Sequence, residues 1–151
     1  YHDNKNKLFN YYTILSSYMT LLSYMIVLFF YIFHEELIQL TFGDDYKNSG
    51  RILVLLSFGL IPMFNAFLRS SYITISGNQK IILYTSLFSS IFNVILNYFL
   101  INKFGVQGAV YSTVITQILS LILLNAVFNE TKVLFFIQIK SLALLGIWSK
   151  N

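Results

Sequence analysis

Pro62, Asn65, Arg69, Tyr72 and Ser76 recur at steps of three and four within an oily stretch between Ile52 and Ile75. That spacing puts all five on one face of a helix. The chemistry they offer is anion binding. A guanidinium meets a phosphate through paired N–H donors, and Asn65 and Tyr72 would add an amide and a hydroxyl beside it. Arg69 lies roughly 12 Å inside the nearer end of such a helix, at 1.5 Å per residue. An arginine at that depth faces a bundle interior or a wet cavity. The plainer alternative is that it snorkels to the interface or pairs with an acid elsewhere.

The next oily stretch carries Ser86, Ser89, Ser90, Asn93 and Asn97. Asn93 and Asn97, one turn apart, either line a polar cavity or hydrogen-bond a neighbouring helix. Further on, Gly108, Ser112, Thr116 and Ser120 recur every four residues, beside a second line of Gly105, Ala109 and Thr113. Small residues let helix backbones approach closely, so this face is expected to pack against another helix. Ser16, Thr20 and Ser23 form a weaker line near the start of the chain.

Catalysis finds no foothold. The chain has no cysteine, which removes disulfides, thiolate nucleophiles and cysteine–zinc clusters. His34-Glu35-Glu36 lacks a further ligand at metal spacing and reads as a solvated helix end, and His2 is isolated in a polar tail. No nucleophilic triad, phosphate loop or dinucleotide fingerprint is present. We expect neither an enzyme nor a cofactor.

These residues need elements to hold them, and the composition dictates which. Of 151 residues, 56% are hydrophobic and 11% charged, against about 25% charged in soluble domains. Lipid must be the solvent. Apolar segments near the roughly 20 residues that cross hydrocarbon run over 8–33, 52–75, 81–101 and 106–128, with a shorter fifth over 133–148 containing Lys140. The stretch 81–101 holds 13 Ile, Leu, Phe or Val residues, each favouring insertion by roughly 0.3–0.6 kcal/mol. Their sum outweighs the Asn and Ser residues between them. Long runs at helical spacing, rather than alternation over roughly ten residues, exclude a β-barrel. The expected fold is an all-α membrane protein, a polytopic transmembrane helix bundle, with any kink of the second span at Pro62.

The net charge of +4 does not indicate nucleic acid, because the cations are scattered between spans. Lys5, Lys7, Lys80, Lys132 and Lys140 fall on one side; Lys47, Arg51 and Lys103 fall on the other, with Glu35, Glu36, Asp44 and Asp45. The richer side is expected to be cytoplasmic. That places Tyr1 inside and the acidic 34–51 loop outside. A first residue other than Met and a last one within an oily run lead us to expect a piece of a longer protein.

A resemblance enters here. LIQLTFGDDYKNSGRILVLLSFGLIP resembles the "LFG-x-x-Y … S-x-x-IL-x-x-L" region of bacterial polysaccharide flippases. ISGNQKIILYTSLFSSIFNVILNYFLINKFGVQGAVYSTVIT resembles their "G-x-x-K … N-x-x-L-N-x-x-LI-x-x-FG-x-x-GA-x-x-x-T" block. Phe42-Gly43 with Tyr46, Asn93 with Asn97, and Phe104-Gly105 with Gly108-Ala109 carry the likeness. Asn102-Lys103 stands where the family often has Pro. The family is the Wzx-type O-antigen and capsule translocases of the multidrug/oligosaccharidyl-lipid/polysaccharide exporter superfamily.

The resemblance implies part of the C-terminal lobe of a transporter in the bacterial inner membrane. A separate N-terminal lobe would supply the other half of the cavity, and the cargo would be an undecaprenyl-diphosphate-linked oligosaccharide. On that reading Arg69 contacts the anion, with Asn65, Tyr72, Asn93 and Asn97 lining the cavity, while Gly105, Gly108, Ser112 and Thr116 pack helices. Three rivals remain. A multidrug exporter would want buried carboxylates, yet all six acids lie in loops or ends. A polymerase or ligase would want a large outer loop, and the longest here is about 18 residues. A truncated, non-transporting product is the third.

Overall fold

The computed structural model describes residues 2–148, with side chains for 7–46 and 49–147. The side chains of Lys5 and Lys47, two cations that bear on orientation, lie outside the described residues, as do those of His2 and Trp148. The described chain is all helix: α1 (His2–Phe42), a 3₁₀ turn (Asp44–Ser49), α2 (Gly50–Ser57) and α3 (Leu60–Ile75). Then follow α4 (Gln79–Phe104), α5 (Val106–Leu121), a second 3₁₀ turn (Leu123–Ala126), α6 (Lys132–Leu142) and α7 (Leu145–Trp148).

Among the described residues, four stretches are long and apolar enough to cross a membrane: Lys7–Phe42, Gly50–Ile75, Gln79–Phe104 and Val106–Ala126. The chain reverses between each and the next. α4 lies along α5, while α1 packs against α2, α3, α6 and α7.

The bundle is turned inside out relative to a water-soluble one. Among the described residues, nine hydrophobic ones are buried against sixteen polar or charged ones. Met25, Leu28 and Ile32 of α1, and Leu87, Ile91 and Val94 of α4, point outward and are exposed. Lipid tails are as apolar as leucine, so hydrophobicity does not drive helices together in a bilayer. Small side chains and interhelical hydrogen bonds do. The interior is therefore where the serines, threonines and asparagines belong.

Four expectations need correction. The first helix does not end at Phe33. It runs through His34-Glu35-Glu36 to Phe42, because hydropathy marks where a helix leaves lipid, not where its hydrogen bonds stop. The supposed 34–51 loop is thus mostly helix, closed by Gly43 at φ +83°. The second span breaks at Phe58–Gly59 rather than at Pro62. Proline has no N–H for the Phe58 carbonyl, and its ring fits the first turn of the helix that follows.

The fifth segment is two helices, not one. α6 has 11 residues, about 16 Å at 1.5 Å each, about half the hydrocarbon thickness. Leu144 at φ +55° then turns α7 back onto α1. Lastly, Gly105 is exposed at the α4–α5 turn with φ +59°, so it reverses the chain instead of packing two helices.

Candidate functional site

Asn65 is the first centre of the interior, on α3 with 2% exposure. Its Oδ1 accepts from Ser16 Oγ on α1. Its Nδ2 donates to Thr20 Oγ1 at 2.9 Å, one helical turn further along α1, and to the Ile61 carbonyl at 3.1 Å. Ser141 of α6 approaches the same Oδ1 at 3.5 Å and receives the Thr20 hydroxyl at 3.3 Å. One amide thus ties together three helices distant in sequence. Ser17 extends the seam by accepting the Gly146 N–H at 3.1 Å. A Cβ at Gly146 would collide with Ser17 Oγ and the Thr13 carbonyl, so α7 reaches α1 only as glycine.

Arg69 is the second centre, one turn further along α3 on the same face and 3% exposed. Its Nε donates to Asn125 Oδ1 at 2.7 Å and its Nη2 to Thr85 Oγ1 at 3.0 Å. Asn125 passes the chain on, donating to Gln138 Oε1 at 2.8 Å and to the Leu121 carbonyl at 2.9 Å. Gln138 also donates to Leu121 O at 3.0 Å. Thr131 holds the Asn125 carbonyl at 3.0 Å. Below this network, Ile73, Ile81 and Leu134 form a dry cluster with Tyr72 and Phe128 against it.

Both acceptors of Arg69 are uncharged. Two of the guanidinium's five N–H groups are engaged there by neutral oxygens, which do not neutralise its charge. It is buried rather than snorkelled to an interface, and among the described residues its hydrogen-bond partners are not acids, unlike in the plainer reading.

The remaining residues of interest separate from this interior. Tyr72 is partly buried and meets Tyr12 edge to face at 5.8 Å between ring centres. Ser76 is exposed and bonds its own helix. Asn93 and Asn97 serve the α4–α5 contact. Asn97 donates to Asn93 Oδ1 at 2.8 Å, Asn93 to Thr116 Oγ1 at 3.2 Å, and Ser112 to Asn97 Oδ1 at 2.6 Å. Gly108, Ser112, Thr116 and Ser120 are all buried on α5. A Cβ at Gly108 would strike the Leu100 carbonyl. Helix–helix bonding, one of the two uses expected of the asparagine pair, is the one present in this structure.

Thr85, Asn125, Thr131, Gln138 and Ser141 complete the interior and were not singled out by spacing. Thr85 lies one turn before Ser89 on the line that leads to Asn93 and Asn97, a signal that could have marked it, and Asn125 and Gln138 are polar residues set in oily stretches.

With the geometry set out, relatives can be compared. No known family profile matches the chain, and no solved structure does. Over 88 residues it is 31% identical to the capsular polysaccharide biosynthesis protein CapF of Staphylococcus aureus. The match takes in 58% of this chain and 22% of that protein. The chain therefore spans about a fifth of the relative it matches. Its likeness is to a protein of polysaccharide biosynthesis.

Proposed function

We propose that the chain forms part of a flippase that carries undecaprenyl-diphosphate-linked oligosaccharide repeat units across the cytoplasmic membrane. The observation that carries this reading is Arg69, a cation buried between helices whose partners are neutral. A buried charge without a counter-charge is costly, and an arriving pyrophosphate would offset that cost. The geometry is reversible in kind: Asn125 and Thr85 accept from the guanidinium as phosphate oxygens would. The likeness to CapF supports the polysaccharide context, and the motifs around Gly43 and Gly105 support the translocase class.

Each residue then has a task. Arg69 contacts the anion, Asn65 and Tyr72 stand along the same face of α3, and the polyprenyl tail stays in lipid. Asn93 and Asn97 line the path only if α4 parts from α5. No bond is made or broken, so we propose no catalytic residue and no cofactor. The remaining lining would come from a partner lobe, with the 76–80 turn on the cytoplasmic side.

A drug exporter of the same architecture is less well supported. Its cationic cargo would meet Arg69 as a like charge, and the carboxylates of the long helices, Glu35 and Glu36, stand near the end of α1 rather than beside Arg69.

The test is surface polysaccharide made by cells carrying Arg69→Ala or Arg69→Lys in the complete protein. Arg69→Ala is expected to cut surface polysaccharide at least tenfold at unchanged protein abundance, and Arg69→Lys to retain part of it. Wild-type polysaccharide from Arg69→Ala would remove Arg69 from the mechanism.

A further inference from the structure

A second cation stands on the same broken helix, near the end of the bundle remote from the 76–80 turn. Arg51 opens α2, about 27 Å from Arg69 at 1.5 Å per residue, which is close to the roughly 30 Å of a hydrocarbon core. It is exposed. It lines a cavity of about 390 Å³ with Tyr31 and His34 of α1, Gln107 and Tyr111 of α5, and two aliphatic side chains of α2. The acids nearest in sequence, Asp44 and Asp45, precede it in the 3₁₀ turn; Asp44 is engaged by Gln39 at 2.7 Å.

The pocket is built rather than incidental. His34 Nδ1 lies 3.0 Å from the Tyr31 carbonyl. A carbonyl only accepts, so Nδ1 donates there and the ring is held against its own helix. The ring is pinned on its other side by Gly50, where a Cβ would come within 2.7 Å of His34 Cδ2. Tyr111 is braced edge-on by Phe104 at 5.8 Å between ring centres.

We infer that this pocket is a second binding site, one that takes an acidic sugar of a glycan at the end of the bundle remote from the 76–80 turn. The inventory matches that chemistry. Arg51 supplies a planar fork for a carboxylate, and Gln107 supplies a donor and an acceptor for hydroxyls. His34, Tyr31 and Tyr111 complete the wall with aromatic rings that carry polar atoms. A bare phosphate engages Arg51 but brings no apolar C–H face to the aromatic wall, so a lipid phosphate alone leaves the pocket half used. The directional role of the site, receiving the glycan after Arg69 has released it, rests on the flippase reading; the binding itself does not.

Binding to a soluble glycan needs no transport, so its result stands apart from the polysaccharide test above. The complete protein in detergent would be titrated calorimetrically with a glucuronic-acid-containing tetrasaccharide, a neutral tetrasaccharide and glycerol phosphate. The acidic glycan is expected to bind at least tenfold more tightly than the neutral one. Arg51→Gln should abolish that preference, and Gln107→Ala should weaken both glycans severalfold. Equal affinities of wild type and Arg51→Gln for the acidic glycan would overturn the inference. So would glycerol phosphate displacing the glycan at equal concentration, which would assign the pocket to lipid headgroups.

Discussion

Arg69 and Asn125, 56 positions apart, are joined by a 2.7 Å hydrogen bond from Nε to Oδ1 at the centre of the bundle. Asn125 faces three ways at once, toward α3, toward α6 and back to its own helix. It is the residue through which the buried charge is spread into neutral dipoles.

Asn125→Leu should therefore destabilise the protein. Interhelical hydrogen bonds in membranes are worth about 0.6 kcal/mol on average and up to about 1.7, and two are lost here beside a charge. We expect a loss of about 1–2 kcal/mol, seen as a lower Tm in detergent. The double variant Arg69→Leu/Asn125→Leu should lose less than the two single changes added together, because contacting residues couple. Strict additivity would show that the two side chains act independently.

Gly108→Val addresses the α4–α5 seam. Any side chain at 108 meets the Leu100 backbone, which cannot move aside as a flexible side chain would. The two helices must separate, and the Asn97–Ser112 bond at 2.6 Å should break with them. Overpacking typically costs about 1–3 kcal/mol. Thermal unfolding measures it, and a Tm equal to wild type would disprove the tight crossing.

The crossing pattern is tested by single cysteines, since the chain contains none of its own. Asn78 lies in the α3–α4 turn and Lys103 at the far end of α4. In a cysteine-free background, Asn78→Cys and Lys103→Cys should be labelled by an impermeant maleimide from opposite sides of the membrane. We expect 78 to react only after the cells are opened. Labelling of both from outside would refute the transmembrane arrangement of α4.

How much of this could be read from the sequence depends on what each signal measures. Oily runs located the four long helices because insertion depends on summed side-chain transfer, a property of composition within a window. The α3 stripe placed Asn65 and Arg69 inward because helical periodicity fixes a face. It could not name their partners. Thr85 continues the line of Ser89, Asn93 and Asn97, while Asn125 and Gln138 stand in oily stretches. Only packing decides whether such a residue meets a neighbour or its own backbone.

Helix ends were the other blind spot. Past Phe33, α1 continues through two glutamates that are good helix formers, where a hydropathy boundary carries no information on hydrogen bonding. The Phe58–Gly59 break had its cause in Pro62, but a proline acts on the carbonyl four residues back, so the visible residue and the broken bond lie a turn apart.

α1 is 41 residues long, about 60 Å at 1.5 Å per residue and twice the thickness of the oil it crosses. Such a rod behaves as a lever with its fulcrum among Ser16, Thr20 and Asn65. A load on the end near Glu35 and Glu36 would be carried along the helix toward its other polar end at Lys7. The seam at Asn65 and Ser141 is where that load must be resisted or released.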